Sequence, residues 1–243
     1  MKPILLVRIS VIVSIAFFMN VAFMNHSRET VDITGAWKLQ SNTSDQVIIL
    51  VNGYLTNTGY NKNDRKFLFA EGGKYELQKG KLSVLYEFDT RQRDRIGTTV
   101  VYNISFTNNQ LVADVNGKKE TWNRIDKGNE NLAGLWHITA RKQEGKIVPI
   151  HQTGPRKTIK ILSATRFQWA AINPETKEFF GTGGGSYTFN NGKYVENIEF
   201  FSRDSTRVAS SLSFNGKLEN EDWHHSGLSS KGDSIYEVWS KIK

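Results

Sequence analysis

Leu132-Ala133-Gly134-Leu135-Trp136 repeats an earlier stretch, Ile33-Thr34-Gly35-Ala36-Trp37. Each carries Gly, one variable residue and Trp after an apolar start, and each runs on into alternating apolar and polar positions. This reads as the beginning of a first β-strand, where Gly lets the backbone bend and Trp plugs one end of a core. The repeat divides the chain into halves at 32–125 and 132–243, joined by a short polar linker at 126–131 that contains Gly128. Further landmarks recur in the same order. Gly72-Gly73-Lys74-Tyr75 answers Gly184-Gly185-Ser186-Tyr187, Tyr86-Glu87-Phe88 answers Ile198-Glu199-Phe200, and Glu120 to Ile125 answers Glu237 to Ile242. Ordered landmarks of this kind indicate duplication of one fold.

Strand signals come in quick succession. In the first half they are Val47 to Val51, Lys66 to Phe69, Gly73 to Leu77, Leu82 to Phe88, Thr99 to Phe106, Leu111 to Val115 and Glu120 to Ile125. All are short, rich in β-branched and aromatic residues, and bounded by turns such as Asn52-Gly53, Gly80, Asn108-Asn109 and Asn116-Gly117. Tight hairpins make neighbouring strands antiparallel. No amphipathic helix of ten or more residues stands out beyond the amino-terminal segment. The expectation is all-β: two tandem antiparallel barrels of about eight strands, since closure removes exposed edges. Paired β-sandwiches are the second reading and one larger barrel the third.

The formal charge of +8 is spread thin. Residues 1–27 carry two basic side chains and no acid, 28–131 carry 15 Lys/Arg against 13 Asp/Glu, and 132–243 carry 15 against 11. One local cluster, Arg91, Arg93 and Arg95, is interrupted by Asp94 and reads as a solvated hairpin loop rather than a phosphate site, so nucleic acid is not an expected partner. Residues 4–24 form a nearly continuous apolar run behind Lys2. That reads as a secretory signal within 1–27, or as an uncleaved amino-terminal anchor, which would be the only membrane contact. The expected location is therefore exported, in a periplasm or at a cell surface. With no cysteine, disulfides and thiolate chemistry are excluded.

The Gly-x-Trp start and a last strand with Trp followed by a basic residue resemble the lipocalin, or calycin, superfamily. The resemblance implies that Gly35 and Trp37 pair with Arg124, and Gly134 and Trp136 with Lys241, as structural barrel plugs with a cation over an indole. The second half more specifically resembles the lipocalin-like domain of unknown function in secreted or membrane-associated proteins of Bacteroidetes. The residues carrying this are Pro155 to Leu162, Thr165 to Trp169, Pro174 to Lys177, Gly183 to Tyr187, Tyr194 to Phe200, Trp223 to Gly227 and Tyr236 to Trp239. It implies a fold and an exported location, without a defined activity.

Candidate chemistry therefore concentrates in the second half. Alternation over Arg166 to Ile172 directs Phe167, Trp169 and Ala171 inward. Over Tyr194 to Phe201, either choice of inner face brings in one carboxylate, Glu196 or Glu199. A buried carboxylate needs a partner, and Arg156, Lys157 or Arg207 could supply it. His224 and His225 point to opposite faces and cannot readily chelate one ion, so a zinc site would require Glu199 or His151 besides. Gly181 to Ser186 lacks the Lys-Ser/Thr of a phosphate loop and reads as a flexible hairpin or strand entrance. The resulting expectation is a pocket for a small apolar or amphipathic ligand in the second barrel, with walls from Phe167, Trp169 and Tyr187 and orientation from Glu199 and His225. No cofactor, metal or catalytic constellation is expected. An envelope interaction module with solid barrels is the alternative, and an acid–base enzyme using Glu199 and a His stands below it.

Overall fold

The computed structural model describes residues 31–39, 41, 44–150 and 154–242. The signal or anchor segment read over 1–27 and His151 lie outside them. Among the described residues, no helix is long and apolar enough to cross a membrane.

The first half closes into an eight-stranded antiparallel barrel. Its strands are β1 (Gly35–Leu39), β2 (Asp45–Val51), β3 (Tyr54–Asn61), β4 (Lys66–Gln78), β5 (Lys81–Asp89), β6 (Thr99–Thr107), β7 (Gln110–Val115) and β8 (Lys118–Asp126). Pairing of β1 with β8 completes the ring. The second barrel is built from β9 (Gly134–Gln143), β11 (Lys157–Leu162), β12 (Arg166–Asn173), β13 (Glu178–Asn190), β14 (Lys193–Phe201), β15 (Ser211–Glu219), β16 (Asp222–Leu228) and β17 (Ser234–Ile242), closed by β9 on β17. A short strand, β10 (Lys146–Pro149), folds back on the far half of β9. Two closed barrels rule out the sandwich and the single large barrel.

From β3 to β6 the halves match without insertion. Strands start at 54, 66, 81 and 99 in the first half and at 166, 178, 193 and 211 in the second, always 112 positions apart and equal in length. Position-by-position comparison of the two interiors is therefore direct.

Three features depart from the sequence reading. First, β3 carried no strand signal, because Thr56, Asn57, Thr58 and Gly59 look like loop residues. In the fold seven of its eight residues are buried, since one face lines the first barrel and the other packs on the second. Second, β4 and β13 are single strands of 13 residues, β4 spanning what reads as two strands at Lys66 to Phe69 and Gly73 to Leu77. The run Gly181 to Ser186 is thus the middle of β13, not a hairpin. A Cβ on Gly184 would lie 2.4 Å from the Phe167 carbonyl oxygen, and on Gly185 it would lie 1.9 Å from that of Asn197. These glycines permit close backbone approach at a β-bulge. Third, Asp126, read as linker, ends β8 and organises the β11–β12 turn. Its carboxylate accepts hydrogen bonds from Ser163 Oγ (2.8 Å), Ala164 N (3.1 Å), Thr165 N (3.0 Å) and Thr165 Oγ1 (2.6 Å).

The barrels pack on each other through one apolar cluster drawn from both, including Val51, Tyr54, Tyr60, Phe88, Ile159, Ile172 and Phe200. The contact has a local two-fold character. Phe88 stacks on Phe179 (centroids 6.2 Å apart) and Phe200 packs on Phe67 (6.5 Å), with both members of each pair at equivalent positions. Glu87 accepts from Tyr54 (2.8 Å) and Lys157 (2.8 Å), while its counterpart Glu199 accepts from Arg166 (2.6 Å) and Tyr60 (2.6 Å).

Candidate functional site

Each barrel is closed at one end as its first strand begins. Gly35 adopts φ 116° because the chain must turn where a Cβ would lie 2.0 Å from the Asp126 carbonyl oxygen. Trp37 then enters the core and donates Nε1–H to the Ile33 carbonyl at 2.9 Å. The Arg124 guanidinium lies 4.1 Å above the Trp37 ring and donates to the carbonyls of Thr34 and Asp32, both at 2.6 Å. In the second barrel Trp136 donates to the Leu132 carbonyl at 2.9 Å, and Lys241 Nζ lies 5.3 Å from its ring and packs against Gly134.

Above the Trp37 end the first barrel is hollow. It holds a cavity of about 530 Å³, open to the outside on one side, within the roughly 300–1,000 Å³ typical of small-molecule sites. Its floor and walls are apolar, from Leu50, Leu55, Leu82, Val84, Leu111 and Trp122. Polar groups gather at the opposite end, where β5 passes to β6 through a short 3-10 turn at Arg93–Arg95 and β7 turns into β8. There Glu71 accepts from Asn57 (2.9 Å), Arg91 (3.0 Å) and Arg95 (3.2 Å). Arg95 also pairs with Asp89 at 3.0 Å and donates to Tyr102 at 2.8 Å, and the Tyr102 and Tyr86 hydroxyls are 2.8 Å apart. Burial pushes both phenols up, so they remain neutral hydrogen-bonding groups. The basic cluster lies in the exposed connection between β5 and β6, as expected, and its arginines are engaged. Arg91 and Arg95 neutralise buried carboxylates at the cavity mouth, and Arg93 donates to the Thr176 carbonyl of the second barrel at 2.9 Å.

Two further lining groups stand on β8. Trp122 Nε1 is buried and closes no hydrogen bond, although Glu120 lies near enough to interact with it weakly. Glu120 is half-buried and, among the described residues, forms no ion pair; burial raises its carboxyl pKa above the ordinary 4.5.

At the same places the second barrel is filled. Ile48, Leu55, Asn57, Leu82, Val84, Leu111 and Ala113 correspond to Lys160, Phe167, Trp169, Tyr194, Glu196, Trp223 and His225. Lys160 pairs with Glu196 at 2.8 Å and sits 5.1 to 5.8 Å from the ring centroids of Phe167, Tyr194, Trp223 and Trp239. Phe167, Tyr187, Tyr194, Trp223 and Trp239 belong to one buried cluster, and His225 packs against Phe214 with centroids 4.1 Å apart.

Of the five pocket residues expected in the second barrel, Phe167, Tyr187, Trp169 and His225 thus meet in packed aromatic core, and Glu199 stands apart from them. Phe167 and Tyr187 are packed core, Trp169 stands edge-on to Phe201 (5.4 Å), and His225 is 2% exposed. Glu199 is the extra residue of a bulge between Gly184 and Gly185, which turns it outward to Arg166 and the first barrel. Burial opposes its ionisation, but the Arg166 and Tyr60 hydrogen bonds prevail and hold its pKa below the usual value. The indoor carboxylate is Glu196, paired with Lys160, while Glu199 pairs with Arg166; neither meets Arg156, Lys157 or Arg207. Glu199 and His225 consequently face opposite sides of the barrel wall and are not brought together for acid–base work. His224 points away from His225 and contacts Tyr236 at 3.0 Å. Among the described residues no three His, Asp or Glu side chains converge on one point. The candidate site therefore moves to the first barrel.

No family model matches the chain, and no curated protein matches it. Fold and cavity define its class directly: a tandem β-barrel protein with one hollow and one filled barrel.

Proposed function

We propose that the protein binds a small amphipathic molecule in the first barrel, with the second serving as a solid partner that braces it. The observation that carries this is the contrast between equivalent interiors. An open cavity of about 530 Å³ with apolar walls and a polar mouth persists in one barrel, while the other is occupied by its own aromatic side chains. Apolar burial of roughly 25 cal/mol per Å² would supply affinity, and the mouth would set orientation. A lipocalin-like family assignment and export by the amino-terminal segment complete the reading, supported by the Gly-x-Trp plugs and the apolar run at 4–24.

The test is titration of the whole chain with an environment-sensitive apolar probe, read by intrinsic Trp fluorescence. Saturable binding is expected. Placing the second barrel's residues in the first, Leu111→Trp with Ala113→His, should abolish it while circular dichroism stays unchanged. An unaltered affinity in that variant would move the site elsewhere.

A further inference from the structure

We infer that the first-barrel cavity takes a protonated nitrogen base carried on a flat ring, with the Glu120 carboxylate as its anchor; this rests on that cavity being a binding site. The argument comes from what the second barrel holds at the same place. Ala113 stands directly across from Glu120 in the β7–β8 ladder, and Leu111 across from Trp122. In the second barrel the corresponding cross-strand pairs are His225 with Glu237 and Trp223 with Trp239. There the carboxylate is occupied: Glu237 Oε2 lies 3.5 Å from His225 Nδ1 and accepts the Trp239 indole N–H at 3.0 Å. In the first barrel the imidazole is cut back to a methyl and the indole of residue 223 to a leucine. The carboxylate and the Trp remain, and the space of the missing rings belongs to the cavity. The second barrel also carries its own cation, Lys160, surrounded by aromatic rings, where the first has Ile48.

Charge agrees with shape. The cavity's arginines, Arg91 and Arg95, are engaged by Glu71 and Asp89, which leaves Glu120 as the lining charge without an ion-pair partner among the described residues. A bound cation would favour its ionised form and stack on Trp122 as Lys160 does on the rings of the second barrel.

Isothermal titration of the whole chain with tryptamine and with indole-3-acetate separates ring from charge, since both share the indole. Tryptamine is expected to bind at least about tenfold more tightly, as a charge-assisted hydrogen bond implies. Glu120→Gln, nearly isosteric, should erase that preference without altering thermal unfolding, and Ala113→His should block tryptamine by supplying the ring internally. Equal or tighter binding of indole-3-acetate overturns the inference, as does a preference that survives Glu120→Gln. Saturable binding of the apolar probe with neither indole compound bound overturns this inference alone; no binding of any of the three overturns the cavity reading as well.

Discussion

Arg166 and Glu199 are 11% and 14% exposed and joined by two hydrogen bonds, of 2.6 and 3.0 Å, so neither charge tolerates loss of the other. Glu199→Gln leaves the guanidinium buried beside a neutral amide and should cost about 3 kcal/mol in chemical denaturation. The pH dependence follows from the lowered pKa. Unfolded, the carboxyl takes up its proton near 4.5, whereas folded it holds out to lower pH. Its stabilisation is complete above the unfolded value and is lost as pH falls through the folded one. Stability of the wild type should fall across that acid window more steeply than that of Glu199→Gln, and parallel slopes in urea titrations at several pH values would sink the assignment.

The long strands β4 and β13 show how an element depends on its glycines. Each faces a bulge in the following strand, where Glu87 and Glu199 are the extra residues opposite Gly72/Gly73 and Gly184/Gly185. A Cβ on Gly73 or Gly185 would meet a carbonyl oxygen at 1.9 Å, which no flexible side chain can relieve. Gly185→Ala should therefore destabilise by at least ~1–3 kcal/mol. Gly154→Ala, where a Cβ meets nothing within 4 Å, should stay within about 0.5 kcal/mol. Comparison of the two melting curves checks this, and a neutral Gly185→Ala would mean that the bulge is dispensable. Burial on both sides hid β3 from sequence reading. A strand buried on both faces by different neighbours, one the barrel cavity and one the other barrel, shows no simple alternation, and its Thr56, Asn57 and Thr58 look like turn residues. The partners of Arg91 and Arg95 are not legible for a related reason: the carboxylates that hold them, Glu71 and Asp89, lie on strands the basic cluster does not identify.

As a whole, the molecule behaves as two folds with one foundation. The shared cluster buries Tyr54, Tyr60 and Phe88 of one barrel together with Ile159 and Phe200 of the other, and Gln168 accepts a hydrogen bond from Thr58 across the contact at 2.9 Å. The whole chain should unfold in one calorimetric transition. Residues 32–131 and 132–243, expressed separately, should each melt well below it or associate, because each would expose a large apolar patch. Two independent transitions in the intact chain would show that the contact contributes little.

The sequence by itself determined the all-β class, the duplication and the two Gly-x-Trp starts, because turn chemistry, strand period and repeated spacing are local properties. Tertiary structure alone decided which barrel is hollow. That depends on the summed volume of side chains converging from eight strands, so that Ile48, Leu82, Leu111 and Ala113 leave a space which Lys160, Tyr194, Trp223 and His225 fill. It also decided where Glu199 points, since one bulged residue reverses the alternation on which a sequence reading of inside and outside rests.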